Sequence, residues 1–254
     1  MTNLAAKVAI VTGGAKGLGA TYVSALAAAG CHVAIADVES GESLAHKLME
    51  DHPAVRVSSS LTDVADEESV RSFVAGVKQQ YGRIDILINN AAVFSSLDAV
   101  DTEQIDQALW DRVMAVNVRG PFLMCKHVIP SMKAQRNGKV INVSSGVAYK
   151  GMSRMLHYSS SKGAMLSFTR SLSRELGAWN INVNTLAPGL IMSDSIAANE
   201  QHIEDFRGPV LASRALKRDG YPTDLVGALL FLASEASDFI TGQTIAIDGG
   251  SVNT

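Results

Sequence analysis

Short apolar runs alternate along this chain with longer amphipathic stretches. Seven of the short runs are rich in Val and Ile and almost continuously apolar, which is typical of β-strands buried on both faces. Between them the pattern predicts helices, and Gly30 and Gly177 stand where two of these helices would end. The predicted strands are Lys7–Thr12, His32–Asp37, Val55–Ser59, Ile84–Asn89, Lys139–Ser144, Ile181–Ala187 and Thr244–Asp248, and the predicted helices include Gly17–Gly30, Asp66–Gly82 and Tyr158–Gly177.

This alternation predicts an α/β fold, a Rossmann-like doubly wound parallel sheet of about seven strands flanked by helices and joined by right-handed crossovers. The 254 residues suit one domain, and neither a linker nor an internal repeat divides them. We therefore expect a single domain over residues 1–254. A segment of mixed charge at about 190–218 interrupts the alternation, and we expect it to form the substrate loop, because long loops in compact domains are often lids.

The composition excludes several classes of function. The net charge is −3 and the basic residues are scattered, so no nucleic-acid surface is indicated. No apolar run approaches the ~18 residues that a membrane crossing needs. Cys31 and Cys125 show no metal or redox spacing, and the histidines show no ligand spacing. We expect no metal site, no membrane partner and a cytoplasmic setting.

Small or polar residues follow six of the predicted strands, where core residues would otherwise continue. These ends read TGGAKGLG, Asp37, LTDV, NNAA, SSG and APG in chain order. Because the carboxyl ends of parallel strands meet at one edge of a sheet, and ligands bind there, the six ends together predict an extended ligand across that edge.

The first of these ends suits a pyrophosphate. Gly13, Gly17 and Gly19 have G-x3-G-x-G spacing, and glycines let the backbone turn sharply toward a phosphate at a helix N-terminus. Asp37 lies 18 residues past Gly19, where a carboxylate accepts hydrogen bonds from ribose hydroxyls and repels a 2′-phosphate. This favours NAD over NADP. Lys16 argues the other way, since a cation in the loop suits a 2′-phosphate, and we give the carboxylate more weight.

The sequence also offers a proton-transfer group. Tyr158 and Lys162 are four residues apart, so on a helix they share one face. An ammonium beside a phenol lowers the tyrosine pKa from its ordinary value of about 10 toward working pH. Ser145, thirteen residues before the tyrosine at a strand end, has a hydroxyl that can hydrogen-bond the oxygen of an alcohol or carbonyl substrate.

Together these residues resemble the short-chain dehydrogenase/reductase family, in its single-domain branch, over nearly the whole chain. Ala92 stands where the family has glycine, and Ser193 where it has threonine; neither change puts catalysis in doubt. The matching positions are Thr12 with the three loop glycines, Asp63–Val64, Asn89–Ala92, Asn117, Ser145, Tyr158, Lys162, Pro188–Gly189, Ser193 and Thr241–Gly250.

The resemblance implies hydride transfer between a nicotinamide and an alcohol carbon. Ser145 would hold the substrate oxygen, Tyr158 would exchange its proton, Lys162 would bind the nicotinamide ribose, and Asn117 would hold a water in a proton relay. It also implies a homotetramer paired through helices around Ile105–Val118 and Ser159–Leu176. The expected cofactor contacts are Gly13, Lys16, Gly17, Leu18, Gly19, Asp37, Val38, Asp63, Val64, Asn89, Ala91, Tyr158, Lys162, Pro188, Gly189, Ile191 and Ser193.

The substrate pocket is expected to be apolar, with Phe94, Val147, Met152 and Met192 in its wall. Three basic residues near it, Lys150, Arg154 and His157, suit either an anionic group or solvent, and we favour solvent.

We therefore expect an NAD-dependent oxidoreductase, an alcohol dehydrogenase acting on a secondary alcohol such as an aromatic carbinol and on its ketone or aldehyde. An NADPH-dependent 3-oxoacyl-type ketoreductase and a non-catalytic NAD-binding regulatory protein remain open as alternatives. An acyl hydrolase is disfavoured, because the chain has no G-x-S-x-G elbow.

Overall fold

The computed structural model describes residues 4–193, 196 and 200–252, and among them seven strands form one sheet. All six pairings are parallel, in the order β3-β2-β1-β4-β5-β6-β7. The predicted doubly wound parallel sheet is confirmed, and the predicted strand ends lie within two residues of those observed. The strands are β1 (Val8–Thr12), β2 (His32–Asp37), β3 (Val57–Leu61), β4 (Ile86–Asn89), β5 (Gly138–Val143), β6 (Ile181–Pro188) and β7 (Thr244–Ile247).

Helices connect the strands and cover both faces of the sheet. A π-helical segment, Ala115–Arg119, joins α4 to α5 without a break, and short 3-10 turns occur at Thr102–Gln104, Gly177–Trp179 and Glu235–Ser237. The helices are α1 (Gly17–Ala28), α2 (Glu42–Asp51), α3 (Glu67–Tyr81), α4 (Gln107–Met114), α5 (Gly120–Gln135), α6 (Val147–Lys150), α7 (Leu156–Leu176), α8 (Glu200–Ser213) and α9 (Thr223–Ala233).

Side-chain alternation along each strand divides the core into two layers. Ala9 and Val11 of β1 pack in one cluster with residues of α1 and α9, whereas Val8 and Ile10 pack in the other with residues of α3 and α5. A strand turns successive side chains to opposite faces, so burial on both faces requires the nearly continuous apolar runs seen in the sequence.

A chain of buried polar groups crosses the centre of the sheet. Asn89 Nδ2 donates to Asn142 Oδ1 at 2.8 Å, and Asn142 Nδ2 donates to Thr169 Oγ1 at 2.8 Å. Thr169 Oγ1 in turn lies 2.7 Å from Thr185 Oγ1, within hydrogen-bond distance. These bonds join α7 to β4, β5 and β6, and thereby fix the helix that carries Tyr158 against the strands.

The predicted end of α7 at Gly177 is confirmed, since the helix ends at Leu176 and Gly177 is its C-cap. The chain then continues as a 3-10 turn, and Asn180 takes the left-handed conformation at φ 56°. The expected substrate loop at 190–218 contains a helix, α8, although residues 194, 195 and 197–199 lie outside the described residues.

Within the described residues, no helix combines the length and hydrophobicity that crossing a membrane requires.

Candidate active site

A cavity of about 1010 Å³ opens at the carboxyl edge of the sheet. Residues from the ends of six strands, β1 to β6, line it, as the polar strand ends predicted. Of the predicted site residues, those lining the cavity are Gly13, Lys16, Gly17, Leu18, Gly19, Asp37, Val38, Asp63, Val64, Ala91, Phe94, Ser145, Val147, Met152, Tyr158, Lys162, Pro188, Gly189, Ile191 and Ser193.

Two residues predicted to line the site, Asn89 and Met192, do not line the cavity. Successive residues of an extended chain turn their side chains to opposite sides, and these two point away from it. Asn89 does not line the cavity; its amide is buried and bonds to Asn142, while the next residue, Asn90, faces the cavity. Met192 does not line it either, although Ile191 and Ser193 on each side of it do.

The glycine loop forms a close-packed backbone turn at the N-terminus of α1. Gly13 and Gly17 have φ values of +62° and +57°, which few other residues adopt. A Cβ on Gly19 would lie 1.9 Å from the carbonyl oxygen of Gly13. Asn90 Nδ2 donates to that carbonyl and to Thr12 O, both at 3.0 Å, and holds the turn in place.

This loop fits a dinucleotide. Lys16 is the N-cap residue of α1, and its side chain makes no capping hydrogen bond. The first backbone N–H groups of the helix, at the cavity end of the loop, therefore have no side-chain partner at the cap. Together with the helix dipole, such N–H groups attract a pyrophosphate.

Charged groups cluster at the end of the cavity beside β2. Asp37 Oδ2 accepts from Ala15 N at 2.9 Å, and Asp37 Oδ1 accepts from Glu39 N at 3.1 Å. Each carboxylate oxygen keeps a further lone pair for a ribose hydroxyl. Lys16 Nζ donates to Glu39 Oε1 at 2.5 Å, so the loop cation already has an acidic partner. Glu39 lines the cavity and was not foreseen from the sequence.

The three groups expected to catalyse proton transfer lie together at the base of the cavity. Tyr158 and Lys162 are buried on one face of α7, and Lys162 Nζ lies 5.7 Å from the centre of the Tyr158 ring. The Ser145 side chain lies beside the Tyr158 hydroxyl, close enough for a hydrogen bond between them to lower the tyrosine pKa. Phe94 stacks on the Tyr158 ring with centroids 4.5 Å apart, which limits the ring's orientation.

The electrostatics of this group differ from the expectation. Burial raises the pKa of Tyr158, and the hydrogen bond with Ser145 offsets only part of that rise. Burial also lowers the pKa of Lys162 to about 8. The Lys162 ammonium donates to Val143 O at 2.8 Å rather than to the phenol oxygen. Among the protein's own groups, desolvation therefore outweighs the expected effect of the lysine on the tyrosine, and the phenol stays protonated at neutral pH.

Asn117 lies in the π-helical segment and does not line the cavity. Its Oδ1 accepts from Val93 N at 2.8 Å, and its Nδ2 donates to Val93 O at 3.3 Å and Ser161 Oγ at 3.0 Å. Because its side chain is already engaged, these contacts suit a residue that positions α7 against the loop after β4 better than one whose side chain holds a relay water. π-Helical segments often occur at functional sites, but the sequence pattern did not predict this one.

Helix α8 closes the substrate side of the cavity. Residues 190–218 were expected to contribute to the substrate site as a loop, and the structure has a helix in this segment. Lys150 and Arg154 line the cavity, whereas His157 is buried and its Nδ1 accepts from Tyr158 N at 2.9 Å. The lining residues beyond β6 that sequence reasoning missed are Ile196, Phe206, Pro209, Val210, Ser213, Asp248 and Ser251.

A family model described as enoyl-(acyl carrier protein) reductase matches residues 13–252, which is most of the chain. The chain belongs to the short-chain dehydrogenase/reductase family. This confirms the resemblance, and the dehydrogenases and reductases of this family are oxidoreductases that use nicotinamide cofactors.

Relatives in this family cover the whole chain. A 3-oxoacyl-[acyl-carrier-protein] reductase of Thermotoga maritima is 37% identical over 98% of this chain and 99% of its own. The 2-dehydro-3-deoxy-D-gluconate 5-dehydrogenase of Escherichia coli K12 is 36% identical over 98% of this chain and 96% of its own. The crystal structure of levodione reductase superposes with a TM-score of 0.90 at 28% identity, over 96% of this chain and 97% of that one.

The close approach of Gly13 and Gly19 predicts that Gly19→Ala weakens NAD binding by more than about tenfold, since backbone must move to admit the new methyl group. The matched control is Gly163→Ala on α7, where a Cβ meets nothing within 4 Å. This control should bind NAD normally and melt at the same or a higher temperature. Calorimetric titration with NAD measures the affinity of each variant, and thermal melting measures its stability. Unchanged NAD affinity in Gly19→Ala would contradict the proposal that the glycine loop binds the pyrophosphate.

The buried Lys162 predicts a pH dependence of stability. Its pKa is about 8 in the folded protein against an ordinary value of 10.5, so the unfolded chain binds more protons between these values and folding becomes more favourable as pH rises. Relative to Lys162→Met, the wild-type free energy of unfolding should increase by about 2 kcal/mol from pH 7 to pH 9.5.

Urea denaturation at several pH values measures this difference, in which all other titrating groups cancel. The control is Lys78→Met, which removes the charge of an exposed lysine of α3 by the same substitution. A difference for Lys162→Met that does not change with pH would show that burial does not penalise the charge of Lys162.

Proposed function

We propose that this protein is an NAD-dependent oxidoreductase that interconverts a secondary alcohol, including aromatic carbinols, and its ketone or aldehyde. The observation that carries the proposal is the meeting of the Ser145 and Tyr158 hydroxyls beside Lys162 at the base of a cavity that also contains the glycine loop. The overall reaction converts alcohol and NAD⁺ into carbonyl, NADH and a proton, or the reverse.

The bound nicotinamide supplies the hydride chemistry, and the protein supplies position and proton transfer. Ser145 Oγ, whose direction is set by contacts with Pro188 O and Val147 N at 3.4 Å, would donate a hydrogen bond to the substrate oxygen. Tyr158 Oη would exchange the proton of that oxygen. Lys162 would bind the nicotinamide ribose from its place beside the tyrosine.

The protonation states favour one direction at neutral pH. Since burial raises the pKa of Tyr158, its hydroxyl is ready to donate a proton to a carbonyl being reduced. Oxidation needs the phenol to give up its proton first. The neighbouring Lys162 has a pKa of about 8, so it gains and loses its own proton in the mildly alkaline range. We therefore expect the rate of alcohol oxidation to increase at mildly alkaline pH.

The charges near β2 support NAD as the coenzyme. Asp37 occupies the ribose end of the cavity, and the Lys16 ammonium that suits a 2′-phosphate is paired with Glu39. A 2′-phosphate would meet two carboxylates and a cation that is already neutralised.

A ketoreductase of the 3-oxoacyl type using NADPH is the second candidate. The observations that favour it are the Thermotoga maritima relative of that name and the position of Lys16 in the glycine loop. A comparison of the two coenzymes separates it from the first proposal.

We also propose a homotetramer with two-fold interfaces. Large apolar side chains remain exposed on helices and loops, among them Phe122 on α5, Leu156 at the start of α7, and Phe239, which is fully exposed. Sedimentation velocity measures the assembly state; a monomer would contradict this proposal without affecting the reaction.

Tyr158→Phe should lower turnover by about 10²-fold or more, because no other hydroxyl at that position exchanges the proton, while NAD affinity stays within about threefold. The assay is NAD reduction over chemically diverse secondary alcohols, sugars and hydroxy acids at mildly alkaline pH. Tyr149→Phe is the matched control, since Tyr149 lies outside the cavity and should keep full activity. A Tyr158→Phe rate above a tenth of wild type would remove the tyrosine from its proposed role.

Glu39→Gln should raise kcat/KM for NADP⁺ by about 2- to 5-fold, because it releases Lys16 from an exposed ion pair.

Asp37→Ala should reduce the ratio of kcat/KM for NAD to that for NADP⁺ more than Glu39→Gln does, because it removes a ribose acceptor and a charge that repels the 2′-phosphate. Glu42→Gln, an exposed acid at the start of α2, removes the same charge away from the cavity and is the control. A wild type that prefers NADP⁺ would overturn the assignment of Asp37 and favour the second candidate.

A further inference from the structure

Three side chains from separate parts of the chain meet on the substrate side of the cavity. Lys150 ends α6, Ser213 ends α8, and Ser251 follows β7. Lys150 Nζ donates to Ser251 Oγ at 2.7 Å and to Ser213 Oγ at 3.5 Å, and the two serine oxygens lie 2.5 Å apart. All three residues line the cavity. We call them the Lys150 cluster.

The cluster carries a positive charge without an acidic partner. Across the described part of the chain, no carboxylate lies within ion-pair distance of Lys150. By contrast, Lys16 pairs with Glu39, and Arg154 lies 3.6 Å from Asp101. The two hydroxyls fix the ammonium at the cavity wall but do not neutralise it.

Asp248, which also lines the cavity, uses both carboxylate oxygens within its own turn. Asp248 Oδ1 accepts from Gly250 N and Ser251 N, and its Oδ2 accepts from Val252 N at 2.9 Å. These bonds hold the turn that presents Ser251. An ammonium flanked by two hydroxyl groups is suited to bind an anion, because charge-assisted hydrogen bonds are stronger than those between neutral groups.

The cluster belongs to the same cavity as the reacting groups. Lys150 follows Ser145 by five residues, and the short helix α6, which begins at Val147, is the connection between them. Apolar side chains also line this cavity, including Phe94, Val147 and Met152. A molecule that reaches from Ser145 to Lys150 therefore needs an oxygen at one end, an apolar body and a negative charge at the other.

We propose that the substrate is a hydroxy acid or oxo acid, whose carboxylate binds the Lys150 cluster while its carbinol or carbonyl carbon lies at Ser145 and Tyr158. This rests on the proposed function, because it names the substrate class of the same site. The carboxylate binds and orients the substrate and is not changed by the reaction.

Arg112 is the competing cation. It also lines the cavity, at the exposed surface of α4, and within the described residues no acidic partner lies within ion-pair distance of it. Among the residues that the structure describes, no hydroxyl group holds the Arg112 guanidinium as two hydroxyls hold Lys150, so the cluster is the better preorganised site.

The test compares 4-(1-hydroxyethyl)benzoate with its neutral methyl ester, and 3-hydroxybutyrate serves as a shorter acid. We expect wild type to prefer the benzoate over its ester by about 10- to 100-fold in kcat/KM, mostly through KM, which is the effect of a charge-assisted hydrogen bond. Lys150→Met should abolish this preference and Lys150→Arg should keep much of it. Lys217→Met, an exposed lysine beside α8 that does not line the cavity, should leave it unchanged.

The outcomes separate this proposal from the proposed function. Turnover of the ester as efficiently as the acid, or an acid preference that survives Lys150→Met, overturns the Lys150 cluster while leaving an alcohol dehydrogenase in place. A preference lost in Arg112→Met but kept in Lys150→Met assigns the anion to Arg112 instead and also overturns it. If neither alcohol is turned over, calorimetric titration of both into the protein with NADH decides, and equal affinities for acid and ester overturn the proposal.

Discussion

Parallel pairing of the strands is the constraint on which the candidate site depends. Because every pairing in the sheet is parallel, strands that lie far apart in the chain deliver their carboxyl ends to one edge. The glycine loop follows β1, Asp37 ends β2, Ser145 follows β5 and Pro188 ends β6. Two groups of the proton-transfer set, Tyr158 and Lys162, come from α7 instead of a strand end, and the buried polar chain from Asn89 to Thr185 fixes that helix against β4, β5 and β6.

The same packing that gathers these groups also opposes their ionisation. Tyr158 and Lys162 are both buried, and burial disfavours the charged form of each, which raises the tyrosine pKa and lowers that of the lysine. A buried lysine whose charged form is disfavoured weakens the fold at neutral pH, and the chemistry proposed for Lys162 gives a reason for its presence there. Proximity of a cation and a phenol on one helix face is therefore not enough to acidify the phenol. The carbonyl of Val143 holds the ammonium, which lies 5.7 Å from the centre of the tyrosine ring.

The sequence allowed the sheet, its strands and most of the cofactor side of the cavity to be predicted, because strand periodicity and strand-end residues are local signals. The site features that the sequence did not predict were missed for physical reasons. Asn89 and Asn90 look equivalent in the sequence, and only the exact pleat of β4 decides that the first turns to Asn142 and the second to the cavity. Glu39 and the Lys150 cluster depend on contacts between residues far apart in the chain. The π-helical segment was not foreseen, and residues 190–218 were expected to line the substrate site as a loop and not through a helix such as α8.

The wall formed after β6 also depends on a buried cation that no local pattern reveals. Arg214, 3% exposed, donates through Nη1 to Arg218 O at 2.8 Å and through Nη2 to Leu190 O at 2.5 Å, and so joins the two ends of the segment that contains α8. Gly189 and Gly249 make room for it, since a Cβ on either would lie 3.2 Å or 3.3 Å from its side chain. Main-chain carbonyls thus bind both guanidinium Nη groups where a carboxylate would ordinarily do so. Because Leu190 lies just past the end of β6, the arginine joins α8, and with it Ser213 of the Lys150 cluster, to the sheet edge that carries Ser145.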